Sequence, residues 1–148
     1  MNIEYDSVKH KGLFFTVIVF SGFEGSAGSA INTLRIDYGS SGLGGSTASD
    51  GGYSFSCRMN NKITRVKGTT VSDKGGFVIM LEFIGEDGTS CSIGQLTNHT
   101  KTLELSYFDV SHPGYHLSYL SGGISYWWNL KTDRVVNGIK FHWKKEED

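Results

Sequence analysis

His112 and His116 stand at the i, i+4 spacing that brings two imidazoles to one metal when the segment between them is helical. Pro113 and Gly114 lie between them and break any such helix, so the pair reads as two solvated loop histidines. Glu82, Glu86 and Asp87 could supply the paired carboxylates of a hydrolase. Asp87, however, opens an Asp-Gly turn, and Glu82 belongs to an alternating run that points it outward. Residues 39–52 are rich in glycine and serine but open no helix, so no helix dipole is offered to a phosphate. No G-x-S-x-G, phosphate loop or cysteine beside a committed base occurs. The expectation is a protein with no catalytic residue, metal or cofactor.

Tyr126, Trp127 and Trp128, flanked by Gly123 and Asn129, are a different kind of signal. Three bulky rings in a row cannot all face one core from a strand, so at least one reaches the surface while one can plug the end of the fold. An exposed Tyr or Trp ring packs on the apolar C–H face of a sugar and keeps a polar handle beside it. The same patch would also suit a protein surface.

The elements that must position these rings alternate with period two. HLSYLSG (116–122) sets Leu117 and Tyr119 against small or polar neighbours. VVNGIKFHW (135–143) turns Ile139, Phe141 and Trp143 to one face and Gly138, Lys140 and His142 to the other. This strand pair has two counterparts: FTVIVFSG (15–22) with AINTLRIDY (30–38), and KITRVKG (62–68) with FVIMLEFI (77–84). Each first strand ends in glycine, at Gly22, Gly68 and Gly122. Each second strand carries apolar residues two apart: Leu34 and Ile36, Leu81 and Phe83, Ile139 and Phe141. Between the pairs lie YSFSCR (53–58), a hairpin turning at Asp87-Gly88, and TLELSY (102–107). No segment of ten residues shows a capped 3.6-residue period, so about a dozen short strands in three similar sheets are expected.

Composition agrees. Twenty glycines, one proline and 13% aromatic residues in 148 suit strands joined by tight turns in one domain spanning 1–148. A net charge of −1 argues against nucleic acid, and no run approaches the ~20 apolar residues of a membrane helix. Residues 144–148 (KKEED) read as a charged, solvated tail. The polar stretch 1–11 predicts no secretory leader and hence a cytoplasmic protein, with non-classical secretion as the other route. Cys57 and Cys91 then read as buried free thiols, and Asn98-His99-Thr100 as a chance sequon.

The three-fold pattern, the GGS at 44–46 before YSF, NKITRVKG, LEFIGEDGTSCSIG and the ending LSYLSG…VVNGIKFHW together resemble the jacalin-related lectins over residues 13–143. The resemblance implies an all-β fold, a β-prism I of three four-stranded Greek-key sheets about a pseudo-three-fold axis. It also implies glycans of the mannose or galactose type as ligands and a homo-oligomer that gains strength by multivalency. That family holds sugar with a G-x-x-x-D motif in the loop before the last strand. Here Asn137 takes the place of the Asp and Asp133 that of the Gly. In the first pair Gly28 is kept and Asn32 replaces the Asp, while the second pair offers Ile79 and is silent. Asn gives one neutral acceptor and one NH₂ donor where Asp would accept charge-assisted bonds from two hydroxyls, so each site weakens. The carbohydrate contacts implied are therefore Gly123, Tyr126, Trp127, Trp128, Asp133 and Asn137, with Gly28 and Asn32 at a second site. The alternative is a prism that has lost its sugar site and docks a protein through the same loops.

Overall fold

The computed structural model describes residues 7–9, 22–27, 30–36, 41–44, 53–59, 61–72, 77–98, 100–126 and 134–146. In chain order the strands are β1 (Ser7–Lys9), β2 (Gly22–Ala27), β3 (Ile31–Ile36), β4 (Ser41–Gly44), β5 (Tyr53–Arg58) and β6 (Ile63–Val71). They continue with β7 (Val78–Gly85), β8 (Ser90–Gly94), β9 (Leu105–Ser111), β10 (Tyr115–Tyr126) and β11 (Arg134–Lys145). A single 3-10 turn, Thr100–Thr102, is the one helical element among the described residues.

These strands form three sheets. Two are four-stranded, in the orders β4-β3-β2-β5 and β8-β7-β6-β9. Each is a Greek key, in which three hairpin-linked strands are followed by a fourth that returns beside the first. The third holds β1, β11 and β10, three strands among the described residues, and β1 runs parallel to β11 at Val8↔Trp143. The fold is an all-β prism.

The three hairpins repeat residue for residue. Gly25 faces Leu34, Gly68 faces Leu81 and Gly122 faces Ile139; two positions away Phe23 faces Ile36, Val66 faces Phe83 and Leu120 faces Phe141. The repeat extends outward, because Phe55 lies opposite Gly25 and Phe108 opposite Gly68. A Cβ on Gly68 would run into the Phe108 ring, so the missing side chain is what leaves room for that ring. The glycine of the first repeat is thus Gly25, not Gly22, which begins β2; the expected strand over 15–21 lies outside the described residues.

The inward faces of all three sheets meet in one core. Leu34 from the first Greek key, Val66, Leu81 and Phe83 from the second, and Ile139, Phe141 and Trp143 from the third sheet are all at most 2% exposed. Phe108 reaches across to Phe141 with ring centroids 5.8 Å apart. Burying a ring the size of Trp143 contributes several kcal/mol at about 25 cal/mol per Å².

Four further expectations change. Leu117 and Tyr119 do not share a face: the register slips between them, leaving Ser118 as an extra residue in β10. Leu117 goes into the core opposite Trp143, while Tyr119 stacks on His142 outside, with centroids 3.9 Å apart. The strand expected at 102–107 runs from Leu105 to Ser111 instead. Thr97 and Thr100 exchange backbone and hydroxyl hydrogen bonds of 2.7 and 3.1 Å, which holds the chain in a turn before it.

Cys57 and Cys91 are not free but form a disulfide, with Cα atoms 5.8 Å apart. It joins β5, the edge of one Greek key, to β8, the edge of the other. Nor do residues 144–146 form a solvated tail. Lys144 and Lys145 belong to β11, and Glu146 accepts hydrogen bonds from Lys62 Nζ at 2.7 Å and His116 Nδ1 at 2.8 Å.

Candidate functional site

Each hairpin carries one extra residue in its second strand, close to its connecting loop. In β3 the register passes from Ala27↔Ile31 to Ser26↔Thr33 and leaves Asn32 over. In β7 it passes from Thr70↔Val78 to Thr69↔Met80 and leaves Ile79. In β11 it passes from Ile124↔Val136 to Gly122↔Ile139, so Asn137 and Gly138 together oppose Gly123. Gly138 takes a φ of +94°, which a glycine adopts without the cost a side chain would bring. Asn32, Ile79 and Asn137 are therefore structurally equivalent bulge positions, as their sequence alignment predicts.

The three hairpin ends converge. Ala30 before β3, Val71 and Phe77 around the β6–β7 connection, Ile79 in its bulge and Val135 at the start of β11 form a second buried cluster. A backbone bridge from Phe77 to Asn137 ties two of the hairpins together at this level. One end of the prism is thus a small apolar plug drawn from the ends of all three hairpins. Beyond the plug, β10 and β11 stay paired out to Tyr126↔Arg134, and residues 127–133 link those two strand ends.

Of the residues expected to hold ligand, Gly123 is exposed and lies against the bulge, where a Cβ would sit 3.0 Å from the Asn137 carbonyl oxygen. Asn137 is 6% exposed, so its side chain offers little to solvent. Tyr126 ends β10, and Asn32 sits in the β3 bulge; the side chains of both fall outside what the structure describes, as do Trp127, Trp128, Asp133 and Gly28 altogether. Ile79 is fully buried. At Gly122 and Gly123, both exposed and without side chains, a ligand can approach backbone amides and carbonyls directly.

The titratable residues cluster elsewhere. Lys62 precedes β6 and Glu146 follows β11, which places both at the opposite end from the hairpin plug. Glu146 takes its two hydrogen bonds from Lys62 and His116 there. Burial alone would raise the Glu146 pKa, but the Lys62 hydrogen bond, the Lys62 charge and the His116 hydrogen bond turn the net shift downward. An ionised carboxylate can only accept, so His116 must carry its proton on Nδ1, and its Nε2 is buried with no hydrogen-bond partner. Desolvation therefore lowers the His116 pKa, and the pull of Glu146 offsets this only in part. His112 packs edge-on against Trp143 at 5.4 Å, so the two histidines take separate structural places. Among the described residues no three of His, Cys, Asp and Glu come together as metal ligands. Glu86 and Asp87 are exposed turn residues, with Asp87 accepting from the Thr89 amide at 2.9 Å.

Sequence reasoning missed the disulfide, the Glu146 cluster and an exposed tyrosine, Tyr107, on the outside of the second Greek key. The strand alternation of β9 was the only signal that could have found Tyr107.

No protein-family model matches this chain, and no curated protein matches it in sequence. Its fold does match solved structures. The V. cholerae biofilm matrix protein Bap1 superposes with a TM-score of 0.60 at 14% identity, over 85% of this chain and 20% of that one. A prostate-specific WGA16 glycoprotein lectin gives 0.55 at 19% identity, over 86% of this chain and 83% of that one. The second beta-prism domain of RbmC from V. cholerae gives 0.50 at 16%, over 84% and 86%. This chain thus spans about a fifth of Bap1 and most of the other two. At these identities the likeness is one of fold, and the fold they share with this chain is the β-prism.

Proposed function

We propose that this chain binds carbohydrate at the hairpin end of its prism and performs no chemistry there. One observation carries this: three equivalent hairpins converge on a single apolar plug, and the longest of their loops is delivered there by β10 and β11. That loop holds Trp127, Trp128 and Asp133, next to Tyr126 and the exposed Gly123. Rings supply stacking surface for a pyranose, Asp133 and the backbone at Gly123 supply hydrogen bonds, and Asn137 holds the bulge that presents them. Gly28 and Asn32 form a weaker second site on the first hairpin, and Ile79 leaves the second hairpin silent. The ligands are glycans of the mannose or galactose type. The lectin and biofilm-matrix proteins with the same fold support this ligand class without specifying it.

The Cys57–Cys91 bond bears on where binding takes place. Disulfides persist in oxidising surroundings, so the bond counts against the cytoplasm and for a compartment that glycans share. Screening the disulfide-bonded protein on immobilised glycans, beside a Trp127→Ala variant, tests this function. Binding by the first that is lost in the second supports it; binding by neither, with both folded, refutes it.

A further inference from the structure

The outer face of the β8-β7-β6-β9 sheet carries a depression of about 380 Å³, a size within the range of small-ligand sites. Two rows of side chains border it. Glu82, Lys67 and Asp109 stand side by side across β7, β6 and β9, because Lys67 is in register with both acids. Two residues along, Met80, Thr69 and Tyr107 form the second row in the same way. Gly68 falls between the rows and lines the depression between them.

Tyr107 is 70% exposed, the only large hydrophobic residue of the described chain that stands out so far. The fold does not require it. In the matching sheet the residue opposite Ser26, the counterpart of Thr69, is Ser54, and the counterpart of Asp109 is Ser56. Two exposed serines thus suffice where this sheet has a ring and a carboxylate. The charges nearby compensate one another: Arg65 bonds Asp109 through Nε at 2.7 Å and through its second nitrogen, and Lys67 faces Glu82.

We propose that this depression is a further carbohydrate site, apart from both hairpin loops, for a neutral pyranose laid on the Tyr107 ring. The ring meets the apolar face of the sugar, and the acceptor–donor–acceptor row Glu82–Lys67–Asp109 spans neighbouring hydroxyls. Balanced charge favours a neutral saccharide over an anionic one. The site lies three residues along β6 from Val71, about 10 Å from the hairpin plug, on the side of the prism instead of its end. It takes its ligand class from the carbohydrate-binding reading but not its place. An open site with one ring and a few hydrogen bonds binds in the ~mM range.

The test is a titration of the ¹⁵N-labelled protein, observed amide by amide, with the methyl glycosides of mannose, glucose and galactose in turn. At least one should give saturable shifts at Gly68, Thr69, Tyr107 and Asp109. Tyr107→Ala should abolish these and Tyr107→Phe should retain them, each with an otherwise unchanged spectrum, while Trp127→Ala leaves them intact. Shifts confined to residues 122–126 and 134–138 would overturn this site and leave the hairpin-end site standing; shifts confined to the sheet would do the reverse. Shifts at Tyr107 that follow protein concentration without sugar would mark a contact between copies, and would overturn the proposal too.

Discussion

Cys57 and Cys91 bond the edge of one Greek-key sheet to the edge of the next, across 34 residues of chain. Cys91 is 2% exposed within the core, between the inner faces that the bond holds together. Closing a loop of this length stabilises the fold by about 4 kcal/mol on the chain-entropy estimate. Replacing both cysteines with alanine is therefore expected to lower Tm by roughly 10 °C in a chain of this size. Calorimetry checks the shift, and intact mass under non-reducing conditions checks the bond. Two reduced thiols in native material would refute the pairing.

Stability should fall on mild acidification. His116 is held neutral in the fold, with a pKa lowered first by desolvation, whereas in the unfolded chain it titrates near 6.5. Above that value both states are neutral and the full stability is present. As pH drops below it the unfolded state takes up a proton that the fold refuses, so stability is lost until the lowered folded pKa is passed. Glu146, also lowered on balance, acts with the same sign at more acid pH. Denaturant unfolding at pH 7.5 and 5.5 (about one unit either side of the unfolded value) should show the loss in the native protein. His116→Gln should flatten it over that window, and an equal pH dependence in both proteins would rule His116 out as the cause.

Two glycines with the same backbone angle should respond differently to alanine. Gly88 has a φ of +88° and open space around it, so Gly88→Ala is expected to cost about 1 kcal/mol of left-handed strain. Gly94 has a φ of +89°, but a Cβ there would collide with the Ile79 carbonyl in the β7 bulge. Gly94→Ala should cost about 3 kcal/mol or more, since backbone cannot move aside cheaply. Similar costs from chemical denaturation would mean that the bulge yields.

The repeat was legible because it is written in register: apolar residues two apart in β3, β7 and β11, with the bulge positions Asn32, Ile79 and Asn137 aligned. What could not be read off was anything that one residue of slippage alters. The extra Ser118 in β10 sends Leu117 and Tyr119 to opposite faces, and no composition signal marks a bulge. The glycine of the first repeat was expected at Gly22, three residues short of Gly25, which faces Leu34. Contacts between distant segments were also hidden. Glu146 meets Lys62 across 84 residues, and the disulfide depends on two sheet edges lying side by side. At the site, alignment located Asn137 at the bulge but could not say that it would be buried there.

That burial changes what substitutions at the bulges do. Asn137→Ala is expected to lower stability by about 1–3 kcal/mol, the usual cost of disturbing a buried polar residue, besides any effect on binding. Ile79→Asp, a harmless control if only the loop pattern is considered, would place a carboxylate where the side chain is fully buried and should unfold the protein. Circular dichroism melts separate the cases. An Asp at position 79 that leaves Tm unchanged would contradict the apolar plug.

Carbohydrate binding at the hairpin end is tested most directly by the disulfide-bonded protein, presented multivalently, on a glycan array beside Trp127→Ala. A single shallow site binds in the ~mM range, and multivalent presentation brings it into reach of the assay. Losing one ring contact of about 1 kcal/mol, together with the hydrogen bonds it orients, should weaken binding about tenfold. The expected result is saturable binding to a subset of mannose- or galactose-terminated glycans, reduced about tenfold in the variant with Tm unchanged. A folded native protein that binds no glycan, or a variant that binds as well as the native chain, would contradict it.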